Sequence, residues 1–143
     1  MTLTGDKQLA KLLSGLGDKV ARKVTRQAVN AAANPVLKAA RAKVVKRSGL
    51  LANSLGKKVS TSKDKQTVTA RVGPRRDVTG TVDGKKYRPA RIAHLVEHGH
   101  LTASGTHTPA QPFLRPAADE TQGQALSIME SKFAAGVIRE ASK

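Results

Sequence analysis

Five residues first invite a chemical reading: His94, Glu97, His98, His100 and His107. His94-x-x-Glu97-His98 sets two imidazoles at i and i+4 with a carboxylate between them, the spelling of an inverted zinc-peptidase helix. A catalytic zinc needs a third protein ligand and an open position for water. His100, His107 or the more distant carboxylate of Glu120 are the available donors. Only three of the five positions are specified, so the spelling arises readily by chance. Gly99 follows His98 directly and would end the helix that has to present both rings. Adventitious metal binding is therefore favoured over catalysis, and no cofactor is expected. Gly15-x-Gly17 has neither the preceding strand nor the Lys-Ser/Thr of a phosphate loop, and no serine stands in a nucleophile elbow. No pair of carboxylates is spaced for acid–base work, and the chain reads as a non-enzyme.

These residues belong to a stretch, Arg91 to Ala118, that the rest of the chain must hold. Its front half, His94 to Gly99, is a short amphipathic turn closed by glycine. Its back half, Pro109 to Ala117, is pinned by three prolines and contains Phe113, one of two phenylalanines in the chain. Between them, 99–111 reads as a flexible loop of Gly, Ser, Thr and His without an apolar period. From Pro116 a closing helix is expected. Pro116 suits the first turn, Asp119 and Glu120 suit the positive end of the dipole, and Ala125, Ile128 or Met129, Phe133 and Val137 form its buried stripe.

Upstream, Leu9, Leu12 and Leu13 have helical spacing, and Asp18 is a candidate N-cap after Gly15 and Gly17. A long basic helix to about Val44 follows, with Val20, Val24, Ala28 and Ala31 on one face and Pro35 as a candidate kink. Arg47 to Leu55 reads as a turn and a short helical piece. Alternation over Gly56–Ser62 and Gln66–Gly73 predicts two strands closed by Lys63-Asp64-Lys65, and a pair this small calls for a third partner. In the 74–90 segment, Asp83-Gly84 favours a type I′ turn in a polar hairpin that projects as an arm. The expected fold is α+β: one domain over 1–143, with long N- and C-terminal helices packed on a small, mainly antiparallel sheet.

The chain of 143 residues carries 26 Lys and Arg against 10 Asp and Glu, a net charge of +16, with only 2% aromatic residues. So basic a chain favours a polyanion or an acidic protein surface. Three scattered aromatics cannot supply a base-stacking platform, so any DNA contact is electrostatic and independent of sequence. The core must come from Val, Leu, Ile and Ala, a thin core that oligomerisation would complete. No apolar run reaches membrane-spanning length, and no membrane partner is expected. With no Cys, the chain fits a cytoplasmic site of synthesis.

The ordered elements Arg47-Ser48-Gly49-Leu50-Leu51-Ala52-Asn53-Ser54, Ala93-His94-Leu95-Val96-Glu97-x-Gly99 and Gln111-Pro112-Phe113-Leu114-Arg115-Pro116-Ala117 resemble the tail-completion and head–tail joining proteins of long-tailed bacteriophages. His98 stands where that family more often has an aromatic residue, and Ser48 where threonine is common. The resemblance implies a structural virion protein of the neck, working as a homo-oligomeric ring, a hexamer by analogy. Its partners would be neighbouring neck proteins, the tail-tube protein and the DNA passing through the lumen. Under this reading Glu97 pairs with Arg115, Gly99 supplies a turn, and Pro112 and Pro116 set the angles at which Phe113 and Leu114 anchor the terminal helix. Arg75, Arg76, Lys85 and Lys86 become candidate contacts to DNA or an acidic partner. The alternative is a non-specific basic nucleic-acid-binding protein, which explains the charge but not the proline-pinned stretch.

Overall fold

A computed structural model describes residue 15 and residues 17–65 and 67–143; the helical spacing of Leu9, Leu12 and Leu13 lies outside them. Two long helices dominate, α1 (Asp18–Lys43) and α4 (Leu114–Ala141). They run antiparallel along one another: Ala40 and Ala117 share a core at one end, and Val24 meets Gly136 near the other. Small residues permit this close approach. A Cβ at Gly136 would lie 2.6 Å from Val24 Cγ1, so the glycine that weakens α4 in propensity is what lets α1 nest against it. Of the predicted stripe on α4, Val137 is buried, while Ala125, Ile128, Met129 and Phe133 are half-buried. Ala117 and Thr121, not foreseen, are buried as well.

One expectation for α1 is corrected. Gly17, not Asp18, is the N-cap: its carbonyl accepts the Val20 and Ala21 N–H groups, and Asp18 sits in the first turn, where its charge still complements the dipole. The helix also runs through Pro35 as one element. The proline removes one backbone donor, and buried Ala33 and Ala40 lie on either side of it.

Between the long helices the chain forms α2 (Leu50–Ser54), the hairpin β1 (Leu55–Thr61) and β2 (Val68–Pro74), the hairpin β3 (Gly80–Val82) and β4 (Lys85–Tyr87), then α3 (Pro89–His98) and a small hairpin of β5 (His100–Leu101) and β6 (His107–Thr108). The α+β class is as expected, but the strands form three separate two-stranded antiparallel hairpins rather than one sheet. Val59 pairs with Ala70 and Lys57 with Val72 in the first. Among the described residues no third strand joins it; α1 packs against both strands and supplies the partner a lone hairpin needs. The second hairpin turns at Asp83 (φ 50°) and Gly84 (φ 73°), the paired left-handed conformation of a type I′ turn. Its β4 strand is exposed throughout. The third hairpin falls inside the segment read as an open loop. Thr102 and Thr106 close it with main-chain and hydroxyl hydrogen bonds, so side-chain chemistry substitutes for an apolar period.

The core gathers where these pieces meet. Phe113, fully buried, packs in a cluster with Ala40, Val44, Leu51, Leu55, Ala93 and Ala117, drawn from all four helices and the start of β1.

Candidate functional site

Glu97 is the centre of the Arg91–Ala118 stretch, and its partner differs from the one expected. Its Oε2 accepts the Phe113 N–H at 2.8 Å and the Leu114 N–H at 3.0 Å, and its Oε1 accepts the Arg115 N–H at 3.0 Å. The carboxylate therefore binds the backbone of Arg115, not its guanidinium. A helix beginning at Leu114 leaves the N–H groups of Phe113, Leu114, Arg115 and residue 116 without intrahelical acceptors. Glu97 satisfies three of them, and residue 116 is proline, which has none. The account closes with no donor left over. No residue local to α4 acts as its cap; the cap arrives from α3, sixteen residues earlier.

Asp119 and Glu120 lie past the first turn, so the charge that complements the dipole there belongs to Glu97. Glu120 instead forms an ion pair with Lys43 of α1. Burial pushes the Glu97 carboxyl up, but the backbone donors of Phe113, Arg115 and Leu114, with the nearby His98, outweigh it and hold the group below its ordinary value.

Gly99 ends α3 at φ 74°, ψ 165°, a region essentially reserved for glycine. A Cβ there would stand 2.7 Å from Thr108 O and 2.8 Å from Ala110 N, both backbone atoms. The returning chain is thus pressed against the end of α3, where the Gln111 N–H donates to Val96 O at 2.8 Å. Gly99→Ala is expected to lower stability by about 2–3 kcal/mol through backbone strain and this collision. Urea denaturation would measure it; a change within about 0.5 kcal/mol, typical of a neutral surface site, would show that the chain can step aside.

The remaining predicted residues divide by environment. Phe113 is core and Leu114 and Pro116 are half-buried, while Pro112 and Arg115 are exposed. Leu114 and Arg115 line an open groove of about 600 Å³ between α1, β2 and α4, whose other walls include Val29, Val36, Val68 and Val72. Arg75 lies over Gly56 and approaches Asp77 at 3.8 Å, so its charge is partly engaged. Arg76, Lys85 and Lys86 are exposed. His94 and His98 are exposed, and the Glu97 carboxylate between them is occupied by the clasp. Among the described residues no three His, Cys, Asp or Glu side chains converge as a metal site.

The fold and its clasp define a helical module: a long helix pair whose second member is capped by the half-buried Glu97, with an open apolar groove and an exposed basic hairpin. Residues 7–99 match the family described as "Bacteriophage HK97-gp10, putative tail-component". The chain belongs to this family of phage tail components. The match contains Glu97 and Gly99 but stops short of Phe113 and α4, which receive the clasp. Comparison with curated proteins and with solved structures gives no match.

Proposed function

We propose that this tail component works at the neck of the virion, completing the tail tube and joining it to the head, as a homo-oligomeric ring, hexameric by analogy with similar neck proteins. Its role is structural rather than enzymatic. The observation that carries the reading, beside family membership, is the open groove between α1, β2 and α4. Apolar walls left uncovered on so small a protein are what a neighbouring subunit would fill. Leu101, 70% exposed, adds apolar surface, and among the described residues no further strand extends the β1–β2 hairpin. Lys85 and Lys86 on the exposed hairpin, and Arg76 in the connection leading to it, suit acidic neighbours in the neck. No helix among the described residues is long and apolar enough to cross a membrane.

Electron microscopy of lysates in which the gene is silenced tests the role directly. Filled heads separated from unjoined or overlong tails are the expected result. Normal infectious particles would overturn it.

A further inference from the structure

The N-terminal half of α1 concentrates charge in a way the exposed hairpin does not. Lys19, Arg22, Lys23 and Arg26 fall at i, i+3, i+4 and i+7, one stripe of the helix. Asn30 continues the stripe and Lys57 is drawn onto it from β1, its ammonium donating to Asn30 O at 2.9 Å and to Asn34 Oδ1. Arg26 leans on the same strand, with Nη2 3.4 Å from Val59 O. Lys23, Arg26, Gln27, Asn30 and Val59 line an open cleft of about 410 Å³. Among the described residues none of the five cations forms an ion pair, and Arg22 Nε donates to Asp18 O at 2.8 Å. Glu140, the carboxylate that senses Lys23, is already bound by Lys143.

We infer that this cleft is a sequence-independent binding site for the phosphate backbone of DNA. From Lys19 to Asn30 the helix rises about 16 Å at 1.5 Å per residue. One strand of a duplex presents about five phosphates over that length, matching five cations. The side chains are long and the cleft is shallow, so they reach phosphate oxygens without entering a groove. An acidic protein partner fits less well, because a specific protein interface needs an apolar centre and Val59 is the single apolar residue lining the cleft. The site is independent of where in the tail the protein sits.

The test is fluorescence anisotropy of a random-sequence duplex titrated with the full chain over a salt series. Five phosphate contacts give a slope of log K against log salt of about −4.5. The triple variant Lys23→Gln, Arg26→Gln, Lys57→Gln should bring the slope to about −1.8 and weaken binding at least tenfold in ~50 mM salt. Should loss of the Lys57 bridge disturb folding, seen by circular dichroism, the double variant Lys23→Gln, Arg26→Gln should give about −2.7. Removing the same charge from the hairpin and the connection before it, with Arg76→Gln, Lys85→Gln and Lys86→Gln, should leave the slope near that of the parent. Equal losses from cleft and hairpin would reduce the effect to net charge and overturn the site. So would undetectable DNA binding in low salt, or displacement of DNA by polyglutamate at equal charge, which would assign the cleft to an acidic protein.

Discussion

Glu97→Ala is expected to destabilise the protein by about 2–4 kcal/mol, since three backbone donors lose a charged acceptor at once and hydrogen bonds to charged groups contribute about 1.5–3 kcal/mol singly, without simple additivity. Glu97→Gln should recover little of this. Its amide keeps one acceptor oxygen but turns an NH₂ group toward a backbone N–H, and the charge facing the helix dipole is gone. The pH dependence supplies a second signature. The folded carboxyl titrates below its unfolded counterpart, so its contribution is fully present above the unfolded value of about 4.3 and drains away as pH falls through the lower, folded value. Glu140 shifts in the same direction, but it is common to both proteins and cancels in the comparison. Urea melts of the parent and Glu97→Ala from neutral pH to pH 3 should therefore converge in the acid range. A constant gap across that range would mean that the carboxylate acts by packing alone. If Glu97 were instead the general base of a hydrolase, substitution would leave the melt almost unchanged.

Phe113→Ala is expected to cost about 3–5 kcal/mol, the range for removing a buried aromatic ring. Phe113 is the largest fully buried side chain in the fold. Its neighbours are mainly alanine, valine and leucine on four different helices, and such small side chains cannot swing inward to fill the space. In a protein with two phenylalanines and no tryptophan, no second ring can take its place. Thermal unfolding by circular dichroism measures the loss. Phe113→Leu should recover part of it. A Phe113→Ala protein that melts like its parent but no longer assembles would move the ring from the core to an interface.

Much of this was legible in the residues, and what was not has a definite cause. The two long helices, the first hairpin with its Lys63–Lys65 link and the Asp83-Gly84 turn announce themselves by local periodicity and turn chemistry. The importance of Glu97, Gly99 and Phe113 was visible from their setting between glycine and prolines. The partner of Glu97 was not. Opposite charge points to the Arg115 side chain, whereas the geometry of a helix start makes the backbone of that same residue the better donor. Pro116 was the available signal, since a helix with proline at its third position has one fewer N–H to satisfy. The single sheet dissolved into three hairpins because strand patterns report that a residue alternates, not which strand it joins. The groove beside β2 and the convergence of Lys57 on the α1 stripe depend on contacts between elements far apart in the chain, which periodicity does not encode.

The antiparallel seam between α1 and α4 also has a mechanical meaning. The first turn of α1 and the last turn of α4 lie at the same end of the seam, where Gln27 and Arg139 meet across 112 residues of sequence. Force drawn between those two ends would peel the helices apart one contact at a time, beginning where small side chains such as Val24 and Gly136 touch. Force entering through the hairpins would load the seam in shear, spreading it over many contacts together. The Phe113 core and the Glu97 cap sit at the far end and would feel a peeling load last. Attachment through the hairpins and the groove, rather than through the first turn of α1 and the last turn of α4, is thus the arrangement in which this fold bears tension best.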